Sequence, residues 1–254
     1  MTCVIKLGGS LLADTEGLAE VCEAVGRLAK SEPVVVVHGG GARLSEVSRR
    51  LGLVPHFEDG LRVTDGPTLE VALMALGGLV NRTVVAAFAR AGVSAVGFCG
   101  GDGSLAIARP LRPELGHVGE VVSIRTDLLE RLFAAGFLPV VASLALSESG
   151  GWLNVNADQM AAAFARALLA SRLVFLTDVA GVLAENGAVL PCLALSEARR
   201  MIESGTVRGG MRPKLQACDD ALTGGVREVV ILPGLQAGAL ASGGTPEAGT
   251  RMTL

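Results

Sequence analysis

Only three of the 22 Lys and Arg residues are lysines, Lys6, Lys30 and Lys214, and two of these sit in glycine-rich segments. Lys6 opens Lys6-Leu7-Gly8-Gly9-Ser10, and Lys214 closes Gly209-Gly210-Met211-Arg212-Pro213-Lys214. In a chain that otherwise uses arginine, lysine at such places points to a need for a compact ammonium and not a planar fork; chance retention is the alternative. A further run, His38-Gly39-Gly40-Gly41, precedes a helical pattern. Loops of this kind let backbone N–H groups approach phosphate or carboxylate oxygens, and a helix N-terminus adds partial positive charge. Taken singly, each is equally an ordinary tight turn.

Two carboxylates accompany these cations. Asn154-Val155-Asn156-Ala157-Asp158 leads into a strongly helical stretch, so Asn156 is expected at the N-cap and Asp158 in the first turn. Asp178, in Leu176-Thr177-Asp178-Val179-Ala180-Gly181, follows an apolar run and could simply end a strand. No Gly-x-x-x-x-Gly-Lys-Ser/Thr segment occurs, and Gly100-Gly101-Asp102-Gly103 lacks the third glycine of a dinucleotide fingerprint, so it reads first as a turn. The five cysteines are scattered, odd in number and never spaced Cys-x-x-Cys, which argues against a zinc site or disulfide framework and suggests buried thiols. His38, His56 and His117 read as structural.

Positioning such groups requires regular elements. Short apolar runs at residues 4–7, 34–37, 94–98, 138–142, 173–176 and 228–232 have the length of strands buried on both faces. Helix-period segments at 17–29, 42–51, 68–91, 127–135, 158–169, 195–204 and 213–223 alternate with them. The alternation predicts an α/β fold with a mainly parallel central sheet, and ligands then bind beyond the carboxyl ends of the strands, where the glycine clusters lie. A net charge of −3 and 3% aromatics disfavour nucleic-acid binding. Charged or Gly-rich breaks interrupt every apolar run, so no membrane span is expected, and the N-terminus lacks a secretory pattern. The expected location is the cytoplasm.

The order Lys6-Leu-Gly-Gly, His38-Gly-Gly-Gly, Gly60-Leu-Arg-Val-Thr-Asp65, Asn154-Val-Asn-Ala-Asp158, Leu176-Thr-Asp-Val-Ala-Gly181 and Gly209-Gly-Met-Arg-Pro-Lys214 resembles the acetylglutamate kinases of the amino acid kinase family. Val80-Asn81-Arg82, residues 97–103, Leu115-Gly-His-Val-Gly119 and Ala217-Cys218 extend the likeness across nearly the whole chain. The resemblance implies a three-layer α/β/α sandwich forming one domain over 1–254. Its lobes would bind the acyl amino acid (about 1–171) and ATP with Mg²⁺ (about 172–254). It implies phosphorylation of the γ-carboxylate of N-acetyl-L-glutamate in arginine biosynthesis.

By motif matching, Lys6 and Lys214 would flank the transferred phosphoryl group and Asp158 would orient them. Gly40, Gly41, Arg62 and Asn154 would bind substrate. Gly8, Gly9, Asp178, Val179, Ala180, Gly181, Val182, Leu183, Thr206, Val207 and Arg208 would bind ATP. An N-acetyl-aminoadipate kinase is the near rival, since one methylene is worth only about 1–3 kcal/mol of discrimination. A catalytically silent regulatory protein on the same fold is the rival of another class. Two departures stand out. Ile231-Leu232-Pro233-Gly234-Leu235 and residues 243–254 lack the family's Asp-Gly-Arg-like loop. Only five residues precede Lys6, too few for the N-terminal helix of the arginine-inhibited hexamers. An arginine-insensitive homodimer is therefore expected, built on the helix carrying Leu69, Leu73, Leu76 and Val80, a stripe equally expected of plain core.

Overall fold

Residues 1–9, 11–184, 186–207, 209–234, 240 and 249–254 are described in a computed structural model of the chain. The first half runs β1 (Cys3–Leu7), α1 (Thr15–Leu28), β2 (Val34–His38), α2 (Gly41–Arg50), β3 (Phe57–Glu58), β4 (Leu61–Arg62), α3 (Gly66–Ala72), α4 (Asn81–Arg90) and β5 (Ala95–Cys99). Then follow β6 (Ala106–Pro110), β7 (Val118–Ile124), α5 (Asp127–Ala134), β8 (Leu138–Ala142), β9 (Leu144–Ser147), β10 (Trp152–Val155) and α6 (Ala157–Ala167). The chain closes with β11 (Arg172–Thr177), β12 (Cys192–Ala194), α7 (Leu195–Glu203), α8 (Met211–Thr223), β13 (Glu228–Pro233) and β14 (Thr250–Thr253).

Among the described residues, eight strands form one sheet in the order β12-β14-β13-β11-β1-β2-β8-β5, parallel throughout except where β14 meets β13. Every residue of β2 and β8 is buried, which is why these strands read as unbroken apolar runs and not as alternating ones. Ile5, Leu7 and Val36 pack on one face with Leu18, Val21, Val84 and Phe88 of α1 and α4. Val4, Leu173 and Phe175 pack on the other with Phe164, Leu215 and Ala198 of α6, α8 and α7. This is the three-layer α/β/α sandwich expected from the sequence. Since β1, β2, β8 and β11 run parallel in register, their carboxyl ends share one edge of the sheet.

Three features differ from expectation. First, β6, β7, β9 and β10 close into a four-stranded barrel, and β3 pairs with β4 in a small hairpin. These strands are short and partly exposed, so they present neither a continuous apolar run nor a long alternation. Second, the helix expected over 68–91 runs from Gly66 to Arg90 but is π-wound at Leu73–Val80. Gly77 sits there against Cys99, where a Cβ would lie 2.8 Å from the sulfur. That helix, with a mean hydropathy of 1.7, is long and apolar enough by length and composition to cross a membrane, contrary to the expectation of no such segment. Half of its most apolar stretch is buried in the protein, as in a core helix. Third, Cys3, Cys22 and Cys218 are buried as expected, but Cys99 is half-buried and Cys192 exposed.

Candidate active site

Three elements converge at the carboxyl edge of the sheet. Lys6, one residue from the end of β1, pairs in register with Phe175 of β11 and faces α6 and α8, as Val4 does. Asp158 lies in the first turn of α6, whose start is set by Asn156: its side-chain oxygen accepts from the N–H groups of Asp158 at 2.9 Å and Gln159 at 3.2 Å. Lys214 lies in the first turn of α8.

Lys6 Nζ is 2.8 Å from one Asp158 oxygen and Lys214 Nζ donates to the other at 3.0 Å. Asp158 and Lys214 are only 7% and 6% exposed, so the charges meet largely out of water. Burial by itself would raise the Asp158 carboxyl, but the facing Lys6 and Lys214 ammoniums outweigh it and hold it below the usual carboxylate range. Burial also draws Lys214 down, Asp158 opposes this, and the like charge of Lys6 adds to it. Lys214 Nζ further rests 4.9 Å above the Phe175 ring centroid. Two cations share one carboxylate, which leaves one net positive charge.

That charge separates two cavities. The smaller, of about 210 Å³, is lined by Lys6, Gly9, Gly39–Gly41, Arg62, Ser143, Asn154 and Asp158 among others. Arg62 is held by its Nη2, which donates to Gly41 O at 3.1 Å and Ser45 Oγ at 2.6 Å, and by the Phe57 ring 4.7 Å below its guanidinium carbon. Its other terminal nitrogen, Nη1, is buried with no partner. A buried guanidinium N–H left so is costly unless an anion completes it. Asn154 Nδ2 donates to Thr64 Oγ1 at 3.1 Å, and Thr64 Oγ1 donates to Arg62 O at 3.0 Å, which ties the asparagine to the arginine strand.

The larger cavity, of about 470 Å³, is lined by Lys6, Gly8, Gly9, Asp158, Thr177, Asp178, Val179, Gly210, Met211 and Lys214. Lys6, Gly9 and Asp158 line both, so the cavities meet at the triad. Gly8 is required here by close approach: its N–H donates to Leu176 O at 2.8 Å, and a Cβ would lie 2.9 Å from that same oxygen.

The structure therefore brings Lys6, Gly8, Gly9, Gly40, Gly41, Arg62, Asn154, Asp158, Asp178, Val179 and Lys214 to these two cavities. Ala180 and Leu183 are exposed on the loop beyond, while Gly181 and Val182 are buried, with Val182 N–H donating to Thr250 Oγ1 at 2.8 Å. Thr206 is exposed and shares a 2.8 Å hydrogen bond with Ser204, and Val207 packs in the core. Arg208 lies outside the described residues. Asp102–Ser104 form a 3₁₀ turn with Gly101 at its N-cap, in which Asp102 accepts from Cys99 N–H at 2.8 Å. Sequence reasoning missed Ser45, Phe57 and Ser143. The spacing of Ser45 four residues after Gly41 puts it on the same helix face, which was the one signal available.

The amino acid kinase family model matches residues 1–233. The acetylglutamate kinase of Koribacter versatilis is 48% identical over 95% of this chain and 94% of its own. Among solved structures, smu.665 of Streptococcus mutans superposes with a TM-score of 0.85 at 29% identity, over 99% of this chain and 98% of its own. N-acetylglutamate synthase of Neisseria gonorrhoeae, solved with coenzyme A and N-acetyl-glutamate, gives 0.87 at 28% identity, over all of this chain and 59% of its own. With the fold, the paired lysines and these likenesses together, the chain belongs to the amino acid kinase family.

Proposed function

We propose that the protein transfers the γ-phosphoryl group of ATP to the γ-carboxylate of N-acetyl-L-glutamate, forming an acyl phosphate in arginine biosynthesis. The observation that carries this reading is the pair of cavities meeting at the Lys6–Asp158–Lys214 triad, the smaller holding a buried, uncompleted guanidinium. The acceptor carboxylate is ionised at neutral pH, so its oxygen attacks the γ-phosphorus without a general base. The new O–P bond forms as the bond to the β-phosphate oxygen breaks, ADP leaves with that electron pair, and no proton need move. What remains is in-line positioning and charge stabilisation.

Lys6 and Lys214 supply that charge, and Asp158 fixes where both point. Arg62 takes the α-carboxylate, Asn154 orients the acyl amino acid, and Gly40 and Gly41 offer backbone N–H groups. Gly8 and Gly9 approach the phosphates, and the Asp178–Leu183 loop with Thr206–Arg208 frames the nucleotide. Among the described residues no group of three His, Cys, Asp or Glu side chains could hold a metal, and both Asp158 oxygens already face lysines. Mg²⁺ would enter with the nucleotide and would supply neutralisation of phosphate charge. Lobes of residues 1–171 and 172–254 then serve acceptor and nucleotide within one cytoplasmic enzyme. The stripe Leu69, Leu73, Leu76 and Val80 expected at the interface turns inward, with Leu76 and Val80 only 3% and 5% exposed in the core. The apolar surface for a homodimer is instead Met74 and Leu79, 52% and 47% exposed on the π-wound helix. Light scattering of Leu79→Glu should show monomer where the unaltered protein shows dimer; a monomer in both removes the dimer.

The test of function is a coupled ADP-release assay with N-acetylglutamate, N-acetyl-aminoadipate, glutamate and aspartate. Turnover is expected to favour N-acetylglutamate; preference for N-acetyl-aminoadipate would reassign the substrate, and no turnover with ATP bound nowhere would leave a silent homologue. Arg62→Lys should raise the acetylglutamate KM by about 10- to 100-fold with a smaller change in kcat, because a point charge cannot replace two parallel bonds. An unchanged KM would remove Arg62 from the acceptor site.

A further inference from the structure

His38 ends β2 immediately before the glycine run and is wholly buried. Its Nδ1 lies 2.8 Å from Gly39 O and its Nε2 lies 2.9 Å from Asn81 Nδ2. The orientation of the Asn81 amide is itself determined: its nitrogen donates to Val140 O at 3.1 Å, while its oxygen accepts from Arg82, whose Nη2 also donates to Gly97 O at 2.6 Å. Asn81 must then donate to His38 Nε2, and the imidazole proton sits on Nδ1, donating to Gly39 O. Burial draws His38 down to about 4, against a smaller upward pull from the Gly39 carbonyl and a smaller downward one from Arg82. The ring is neutral at pH 7, with one donor and one acceptor, and both are used.

We propose that His38 is a positioning residue: by holding the Gly39 carbonyl, it aims the Gly40 N–H into the acceptor cavity. In a planar trans peptide the carbonyl of one residue and the N–H of the next point in opposite directions. Fixing Gly39 O against the His38 ring therefore turns the Gly40 N–H away from the sheet, toward the cavity that Gly39, Gly40 and Gly41 line. The peptide on the other side of Gly40 is held too, since Gly40 O accepts from Leu44 N–H at 2.8 Å. Gly40 has a φ of 141°, and a Cβ there would lie 2.9 Å from Val80, so only glycine presents a donor at this point. Asn81 follows directly on the π-wound turn carrying Leu76 and Val80, which support Gly40 from behind. A glycine loop free to flip its peptide would offer a carbonyl where a phosphoryl or carboxylate oxygen must sit; the His38–Asn81–Arg82 chain removes that choice.

This inference rests on the proposed acceptor site, and the experiment separates the two. His38→Leu fills the space without a donor, whereas His38→Asn keeps a donor near the Nδ1 position. His38→Leu is expected to lower kcat on the order of 10²-fold, the effect of losing one preorganised donor, with the calorimetric affinity for a non-hydrolysable ATP analogue unchanged. His38→Asn should recover most of that loss, a rescue that mere core filling would not produce. Nitrogen-15 NMR of the histidine-labelled, unaltered protein at pH 7 should show His38 neutral and protonated at Nδ1. Equal losses in both variants, or protonation at Nε2, overturn the proposal, and the NMR result decides if His38→Leu does not fold. If Lys214→Ala abolishes turnover while His38→Leu keeps it, the positioning role alone fails. If both keep turnover, the site assignment falls and takes this role with it.

Discussion

Asp158→Asn is expected to lower kcat by about 10²–10³-fold and to destabilise the fold by about 3–5 kcal/mol, the cost of breaking a buried pair. Both effects have one origin. The carboxylate touches Lys6 and Lys214 through separate oxygens, at 2.8 and 3.0 Å, in a site almost closed to water. Removing its charge leaves two ammoniums side by side, and the cheapest response is for one to move away or lose its proton. Neither then keeps the place that the proposed transfer assigns it. At roughly 2–4 °C per kcal/mol for a chain of this size, Tm should fall by roughly 6–20 °C.

The same substitution should alter the pH dependence of stability. Asp158 is depressed in the folded state, so its contribution is complete above the ordinary carboxylate pKa and is lost as pH falls through the depressed value. Asp158→Asn should therefore remove part of the acid sensitivity of unfolding below about pH 4. A variant with normal kcat and unchanged Tm would show that the triad neither orients the lysines nor supports the fold.

Lys214→Ala is expected to reduce kcat by about 10²–10³-fold while both substrate KM values change by only a few-fold, because the proposed mechanism uses its charge mainly as the phosphoryl group moves. Lys214→Arg should not restore activity. The ammonium occupies a buried place between Asp158 and the Phe175 ring, and a planar fork is longer and wider than that place. Single-turnover kinetics with saturating ATP and acetylglutamate measure the chemical step directly. A normal rate there in Lys214→Ala would mean that another cation does this work.

Much of this molecule was legible in its residues. Apolar runs such as residues 34–37 and 138–142 marked strands buried on both faces, because only a parallel sheet covered by helices on both sides needs such strands. Asn156 marked the start of α6 through side-chain geometry that acts within three residues. The ordered glycine, lysine and aspartate motifs pointed to a kinase only through their resemblance to the acetylglutamate kinases. The barrel and hairpin strands were not legible, since pairs as short as Phe57–Glu58 and Leu61–Arg62 carry too few residues for any period to show. The π-wound turn at Leu73–Val80 keeps a helical apolar pattern and differs only in its winding, which composition does not encode.

Residue types and spacing determined locally which side chains would cap, end strands or carry charge. Tertiary structure alone decided that Lys6, Asp158 and Lys214, as far as 208 positions apart in the chain, share one carboxylate. It alone left Arg62 Nη1 without a partner beside Ser45 and Phe57, and threaded His38 through Asn81 to Arg82. Capping and strand burial depend on neighbours within a few residues, so sequence carries them. Ion pairs, orphaned donors and hydrogen-bond chains depend on the register of distant strands, and that register is set only when the whole core packs.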